Sequence, residues 1–167
     1  MPWKTTLERA AKDKREGKAP TTQAGEFVKE EMEHIRRGKH GARSAKQAIA
    51  IGLSKARRAG VDLPPPKEGT TSEQTRKSAE RDRRAGAKPA RKPSRKRSRA
   101  VENALKREGS SAASKQSLSR QAKSAAKRRS ASERSAAAKK AAKTKGPAGR
   151  KAAAKKGAKT RARKRTG

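Results

Sequence analysis

The stretch that decides the fold is TQAGEFVKEEMEHIRRGKHGARSAKQAIAIGLSKARRAGVDL, residues 22–63. Its first part places Val28, Met32 and Ile35 at positions i, i+4 and i+7, which form one stripe along a helix. After two glycines, the second part carries another helical stripe, formed by Ala45, Ile49, Leu53 and Ala56. Two amphipathic helices joined by a short turn bury their apolar faces against each other. The sequence therefore predicts a helical hairpin over residues 22–63.

Capping residues mark the ends of both predicted helices. Thr22 is the expected N-cap of the first helix. Residues 44–47, Ser-Ala-Lys-Gln, open the second helix with a capping-box pattern. Gly60 follows the second helix at the position of a C′ residue. These signals bound the two helices.

Small and apolar residues around the second helix indicate how the hairpin packs. Gly52 lies beside the apolar stripe and permits close approach of another helix, at about 1 kcal/mol of helix propensity. We expect Val61 and Leu63 to pack back onto the hairpin. Three consecutive prolines at 64–66 then end the predicted domain with a stiff, extended segment.

The rest of the chain is predicted to be polar. Residues 1–21 form a polar N-terminal segment with a short helix up to Arg15. Residues 64–86 combine the proline linker with a solvated helix that begins at Thr71 in a second capping-box pattern. Residues 87–167 form a low-complexity tail rich in Lys, Arg and Ala, with one short helix over 100–108 and a ten-residue segment, 136–145, that recurs at 152–161.

Charge separates the two halves of the chain. The net charge is +35, and residues 87–167 hold 29 Lys and Arg against 3 acids, a balance of +26. Low hydrophobicity with high net charge is typical of chains that cannot offset their own ordering entropy. We therefore expect a mostly α-helical fold with extensive disorder: a small N-terminal hairpin followed by a basic tail that is disordered, or becomes helical on a polyanion.

The tail is the predicted nucleic-acid-binding region. Lys and Arg displace the counterions condensed on DNA, and neutralising about ten phosphates gives a log–log salt slope near −9. The predicted contact residues are Lys88, Arg91, Lys92, Arg95, Lys96, Arg97, Arg99, Lys123, Lys127, Arg128, Arg129, Lys139, Lys140, Lys143, Lys145, Arg150, Lys151, Lys155, Lys156, Lys159, Arg161, Arg163, Lys164 and Arg165.

These features predict non-sequence-specific binding and condensation of duplex DNA by a histone-like protein of the cytoplasm and nucleoid. Three alternatives stay open. The tail suits RNA as well as DNA, so an RNA- or ribosome-associated factor is the first alternative. The hairpin could bind a protein partner while the tail tethers it to the chromosome, or it could mediate self-association. No membrane partner is expected, because the tail offers mostly Ala where a membrane-surface helix needs large apolar residues.

No enzymatic, cofactor or metal site is predicted. The chain has no Cys, which excludes disulfides and thiolate metal sites. His34 and His40 are the only histidines, and we expect them to lie at the surface or to contact phosphate, because two histidines alone are a weak metal signal. Four glutamates cluster between residues 26 and 33, and we expect them to pair with nearby cations or to form an acidic face that docks the tail.

Two parts of the sequence resemble known proteins. Residues 32–41 (MEHIRRGKHG) and 44–60 (SAKQAIAIGLSKARRAG) resemble an uncharacterised family of small basic bacterial proteins with a KQAIAIALSEARxAG-like motif, from which this chain departs at Gly52 and Lys55. Members of that family are described as DNA-binding or of unknown function. The tail is similar in composition to linker-histone tails and bacterial histone-like proteins. Together these resemblances imply a bacterial nucleoid protein and no catalytic residues.

Overall fold

The computed structural model describes residues 2–88 and 94–165, with side chains up to residue 163. Over these ranges the chain forms seven α-helices and one 3₁₀ turn. The helices are α1 (Lys4–Arg15), α2 (Pro20–Arg36), α3 (Ala45–Arg58), α4 (Glu73–Gly86), α5 (Arg95–Lys106), α6 (Lys115–Lys127) and α7 (Ala131–Arg165), and the 3₁₀ turn is Ser110–Ala113.

The chain divides into two compact units, Met1–Gln121 and Ala122–Gly167. We call them the N-terminal unit and the C-terminal unit. The boundary lies within α6, so α5 and the 3₁₀ turn belong to the N-terminal unit. A tail that begins at residue 87 therefore includes segments that fold with the hairpin.

Helices α2 and α3 form the centre of the N-terminal unit. Gly52 of α3 lies directly against α2, since a Cβ added there would be 2.7 Å from the Cα of Val28. The close approach that the sequence predicts at Gly52 is confirmed. Val61 and Leu63 are also buried, as predicted, because the chain after α3 packs back against Phe27 and Ala56.

Elements outside the hairpin cover its two apolar clusters. The Phe27 cluster consists of Ala10 of α1 together with Ala24, Phe27, Ala56, Val61 and Leu63. The Ile35 cluster consists of Met32, Ile35, Ala42 and Ala48 together with Ala112 and Ala113 of the 3₁₀ turn. Helix α4 contacts α3 as well, with Ala79 buried. Other elements of the same chain thus cover the apolar faces of the hairpin.

The observed caps agree with the predicted ones at some ends and not at others. The predicted Ser44 cap is confirmed, since the Ser44 hydroxyl accepts a hydrogen bond from the Gln47 backbone N–H at 3.2 Å, and Gly60 has the expected positive φ, +88°. The Gln47 side chain accepts from the Arg43 N–H instead of the Ser44 N–H, so the capping box is not closed. Thr22 is not the cap of α2. That helix begins at Pro20, since proline has a helical φ and lacks the N–H that a first-turn residue leaves unpaired. Helix α4 uses Ser72 rather than Thr71.

The expectation of extensive disorder is wrong. Residues 95–106, 115–127 and 131–165 are helical. Neither the lack of an apolar core nor like-charge repulsion prevents these helices. Helix hydrogen bonds are local, and Ala, Lys and Arg are good helix formers. A capping box also starts α7: the Ser130 hydroxyl accepts from the Glu133 N–H at 3.1 Å, and the Glu133 carboxylate accepts from the Ser130 N–H at 2.9 Å.

Helix α7 is interrupted once. Gly146 has a φ of +64° and a ψ of 174°, which is not helical, and Pro147 follows it. A residue before proline is displaced from the α region, and proline then fits the first position of a new helix. The break divides α7 into a first arm, 131–145, and a second arm, 147–165, each of which holds one copy of the sequence repeat.

Among the helices of the described residues, none combines the length and the apolar character needed to cross a bilayer.

Candidate nucleic-acid interface and a buried histidine cluster

The predicted contact residues lie on the surface. Each one whose side chain the structure describes is exposed. Arg91 and Lys92 lie outside the described residues. Lys164 and Arg165 lie in the last turn of α7, and their side chains are not described.

Helix α5 begins with a concentration of positive charge. Arg95, Lys96, Arg97 and Arg99 lie in its first five residues, and no acid lies in its first turn. The N-terminus of a helix is itself the positive end of the helix dipole, so cations there are electrostatically unfavourable and an anion is favourable. None of the four side chains is buried in the core, so their charge is free to interact with an anion.

In the C-terminal unit the cations surround the helix. Residues 122–167 hold 18 Lys and Arg, while Glu133 is the sole acid. In the second arm of α7, Lys151, Lys155 and Lys159 follow an i, i+4 row, while Arg150 and Arg161 lie off this row because each residue turns the helix by about 100°. The arms therefore have no apolar face of large side chains.

Further exposed cations share these elements but were not predicted as contacts. They are Lys106 on α5, Lys115 and Arg120 on α6 and Arg134 on the first arm of α7. Lys115 also lines a shallow depression with Arg36, Ser110, Ser111, Ala113 and Ser114. Arg36 donates a hydrogen bond to the Ala113 carbonyl oxygen at 3.1 Å, which fixes the 3₁₀ turn against α2. The positive charge of Lys115, Arg120 and Arg134 is enough to identify them as candidate contacts from the sequence. The depression, by comparison, depends on tertiary contacts.

The glutamates of α2 do not form one acidic face. Glu26 pairs with Arg9 of α1, and Glu33 pairs with Arg37. Glu30 and Glu31 are 2% and 0% exposed. Glu30 accepts a hydrogen bond from the Trp3 backbone N–H at 3.0 Å, and Glu31 accepts one from Lys55 of α3. Three of the four glutamates, Glu26, Glu31 and Glu33, thus pair with nearby cations. The two buried carboxylates, Glu30 and Glu31, are inaccessible to a docking tail.

Both histidines lie beside these buried carboxylates. The Nε2 atom of His40 is 3.4 Å from the Oε1 atom of Glu31, and the Nε2 atom of His34 is 3.8 Å from the Oε1 atom of Glu30. One ligand atom each from Glu31, His34 and His40 lie within 4.8 Å of one another. The two histidine rings are 5.8 Å apart between centroids. We call Glu31, His34 and His40 the histidine cluster.

Trp3 covers the histidine cluster from the N-terminus. Its ring meets that of His34 edge-on, with centroids 4.6 Å apart. The Arg37 guanidinium and the Lys39 ammonium lie 5.2 and 4.9 Å from the Trp3 ring centroid. Burial lowers the pKa of the His34 imidazole below its usual value, and the charge of Lys55 lowers this pKa further. Burial therefore disfavours the charged form of His34.

Sequence reasoning treated these histidines as surface residues. The signal that could have located the cluster is the Glu31-x-x-His34 spacing, since residues i and i+3 share one face of a helix. His40 lies beyond the turn, and its approach to Glu31 depends on how residues 38–42 are held. That geometry has no local sequence signature.

Comparison with known proteins identifies one segment. Residues 21–67 match the model of a family described as "Family of unknown function (DUF6496)". The match covers α2, α3 and the chain that packs back after α3, including the histidine cluster, and it stops before α4. No curated protein and no solved structure matches the chain. The matched description names no activity, so DNA binding stays a prediction.

Proposed function

We propose that the protein binds nucleic acid without sequence preference, chiefly duplex DNA, and condenses it as a nucleoid-associated protein. The observation that carries the proposal is the C-terminal unit, where 18 cations oppose the single acid Glu133. Those of its cations whose side chains are described are exposed, on helical arms with no face of large apolar residues to bury.

The electrostatics of α7 favour a polyanion. Lys151 and Lys155, and Lys155 and Lys159, are like-charge pairs at i, i+4, and each such pair destabilises an isolated helix by about 0.2–0.5 kcal/mol. Phosphate between these side chains replaces repulsion with attraction. Counterions released from the nucleic acid add a favourable entropy. Binding and helix stability are therefore coupled in the same direction.

The spacing of charge along the second arm suits a phosphate polymer. Its 19 residues span about 28 Å at 1.5 Å per residue, and they carry nine Lys and Arg. This is one cation per roughly 3 Å, against one phosphate per about 1.7 Å of duplex axis. One arm along DNA can neutralise a large share of the phosphates that it covers.

Sequence-specific recognition has little support. The aromatic residues of the chain are Trp3 and Phe27, and both lie in the N-terminal unit. The predicted contact region thus has no aromatic platform on which bases could stack. Contacts to phosphate position a protein but carry no base information.

The hairpin offers little surface to a protein partner. Among the described residues, the large hydrophobic side chains that stand out as exposed are Leu7 and Val101, at 42% and 59%. Neither belongs to α2 or α3. The apolar stripes of the hairpin contact α1 and the 3₁₀ turn instead. Self-association through the hairpin stays a prediction, and DNA binding by the cations is the better-supported function.

The test is a salt-dependent affinity measurement on a duplex of random sequence. We compare the wild type with Lys151→Gln/Lys155→Gln/Lys159→Gln. If all three lysines contact phosphate, the log–log salt slope falls in magnitude by up to about 2.7, because each contact contributes about 0.9. A slope equal to that of the wild type would contradict the proposed contacts.

A matched control removes the same charge elsewhere. Lys4, Lys12 and Lys77 lie in the N-terminal unit, and each forms an i, i+4 ion pair with an acid: Glu8, Glu16 and Glu73. Their triple substitution by Gln lowers the net charge by the same three units. We expect it to leave the salt slope within error of the wild type. An equal loss in both triple variants would show that net charge alone, rather than α7, governs binding.

Two further measurements test which unit binds nucleic acid and whether DNA or RNA is preferred. Truncation after Gln121 removes the C-terminal unit while keeping Ala112, Ala113 and Leu118 for the Ile35 cluster. We expect this fragment to retain its fold and lose most of its affinity. The same salt series on duplex RNA separates DNA from RNA binding, and clearly tighter binding to RNA would redirect the proposal to an RNA-associated role.

A further inference from the structure

We propose that Glu31, His34 and His40 form a binding site for a divalent metal ion of the zinc class. The proposal concerns the N-terminal unit and does not depend on nucleic-acid binding. It rests on three donor side chains brought together from α2 and the following turn, with ligand atoms within 4.8 Å of one another.

Two of the donors have buried atoms with no hydrogen bond. The Oε1 atom of Glu31 and the Nε2 atom of His34 are inaccessible to solvent and unpaired in the structure. Glu31 itself is 0% exposed and His34 is 8% exposed. A buried polar atom that lacks a partner costs about 1–3 kcal/mol. Coordination of a metal ion would satisfy both atoms at once.

The second oxygen of Glu31 is already held. Lys55 of α3 donates to its Oε2 atom, which orients the carboxylate and leaves Oε1 directed to the histidines. Carboxylates that bind metals are commonly positioned by such hydrogen bonds. Lys55 therefore acts as a positioning residue for the ligand.

The ring of His40 is oriented in a comparable way. Its Nδ1 atom lies 3.1 Å from the Gly41 carbonyl oxygen. A hydrogen bond from Nδ1–H to that carbonyl selects the tautomer with a free lone pair on Nε2, the atom nearest Glu31. Hydrogen bonding of the second ring nitrogen to a carbonyl is the usual arrangement in metal-binding histidines.

His34 has a carboxylate neighbour of its own. Glu30, 2% exposed, lies with its Oε1 atom 3.8 Å from Nε2 of His34 and has no hydrogen bond through that atom. Glu30 thus places a negative charge beside a ligand of the proposed site, which favours a bound cation. Two histidines and one carboxylate form a known ligand set for zinc, with a fourth position open to water.

The distances call for a small local contraction. Tetrahedral zinc with bonds of about 2.0–2.1 Å places its ligand atoms roughly 3.4 Å apart. Nε2 of His40 and Oε1 of Glu31 already have that separation, at 3.4 Å. The largest separation in the cluster, 4.8 Å, needs to shorten by about 1.4 Å, which side-chain rotation of His34 and His40 can supply.

Charge also favours a cation. Within the buried group, Glu30 and Glu31 contribute two negative charges and Lys55 contributes one positive charge. Their sum is a net negative charge in a buried setting, where unpaired charge is costly. A cation bound beside Glu31 would meet this negative charge with an opposite one.

Metal binding would fix the turn between α2 and α3. The Gly41 N–H donates to the Leu105 carbonyl and the Ala42 N–H donates to that of Gly109, at 2.9 and 3.1 Å. A Cβ at Gly41 would collide with the Glu108 backbone, so this contact is tight. The metal would therefore link α2 to the end of α5 and the segment that follows it, through His40 and its neighbours.

The experiment is a titration of the full-length protein with Zn²⁺ after removal of metal by EDTA and dialysis. Isothermal titration calorimetry measures the stoichiometry and affinity. Absorption of the Co²⁺ form in the visible range reports the coordination geometry, and thermal unfolding of the metal-free and Zn²⁺ forms reports stabilisation. We expect one Zn²⁺ per chain, a tetrahedral Co²⁺ spectrum and a higher unfolding temperature with Zn²⁺.

Substitution identifies the ligands. His40→Gln changes a turn residue outside the apolar clusters, and we expect its metal-free form to fold while its Zn²⁺ affinity falls at least about tenfold, the smallest loss typical even for residues behind the ligands. Glu33→Gln is the control, since Glu33 pairs with Arg37 on α2 and is not a cluster member. It should bind Zn²⁺ like the wild type.

Three results would overturn the proposal. One is no saturable Zn²⁺ binding by the wild type. Another is equal Zn²⁺ affinity in the wild type and His40→Gln. The third is an octahedral Co²⁺ spectrum that His40→Gln leaves unchanged, which indicates surface carboxylates instead of the cluster. Circular dichroism of the metal-free variants checks that a loss of binding is not a loss of fold.

Discussion

Gly52 offers a test in which helix propensity and packing have opposite effects. It lies inside α3, where glycine is less favourable than alanine by about 0.8–1.0 kcal/mol. By propensity alone, Gly52→Ala should stabilise the protein. In the structure, the added Cβ would lie 2.7 Å from the Val28 Cα and 3.0 Å from its N. Both contacted atoms belong to backbone, so α2 and α3 would have to separate.

The magnitude follows from these two terms. Overpacking a well-packed site costs typically about 1–3 kcal/mol, and the propensity gain offsets about 1 kcal/mol of it. Gly52→Ala should therefore destabilise the N-terminal unit by up to about 2 kcal/mol. Gly25 is the matched control, since it lies inside α2 and an added Cβ has no neighbour within 4 Å. Gly25→Ala should stabilise by close to 1 kcal/mol.

The assay is urea unfolding followed by tryptophan fluorescence. Trp3 is the only tryptophan and lies against α2, so its signal reports the N-terminal unit without contribution from α7. Circular dichroism of the same samples records the total helix content. Equal stabilisation in Gly52→Ala and Gly25→Ala would refute the tight contact between α2 and α3.

Three further predictions concern caps, core and the break in α7. Ser44→Ala removes the hydrogen bond to Gln47 N–H and should cost about 1 kcal/mol in urea unfolding. Ile35→Ala, at a 0% exposed site, should cost about 2–5 kcal/mol. Leu7→Ala at a 42% exposed site should cost much less in the same assay, and equal losses would contradict the assigned core. Gly146→Ala/Pro147→Ala should join the arms and raise the helical circular dichroism signal, because Gly146 has a left-handed φ; an unchanged signal would argue against the break.

The hairpin could be predicted because its signals are local. The spacing of Val28, Met32 and Ile35, the Ser44 cap and Gly60 each depend on a few neighbouring residues. Thr22 failed as a cap because Pro20, two residues earlier, can start the helix itself. The helices of the C-terminal half were predicted to form only on a polyanion, apart from the short one over 100–108. The sequence contains their local signals, including the Ser130–Glu133 capping box, but the absence of an apolar core favours the opposite prediction.

The candidate interface and the histidine cluster differ in how well each can be predicted from the sequence. Positive charge density needs no tertiary information, so the contact residues on α5–α7 follow from composition alone. The histidine cluster needs His40 to return to α2 after a turn. Only its Glu31–His34 half has a sequence signature, as an i, i+3 pair on one helix face.

By itself the sequence determined where helices form between residues 20 and 60, that Gly52 meets another helix, and that the C-terminal half is strongly cationic. These properties arise from the periodicity, capping and charge of nearby residues. The tertiary structure alone decided that α1 and the 3₁₀ turn complete the apolar clusters, and that Glu31, His34 and His40 meet beneath Trp3. Contacts made by small residues such as Ala112 and Ala113 leave almost no pattern in a sequence, because their burial depends on the surfaces that fold against them.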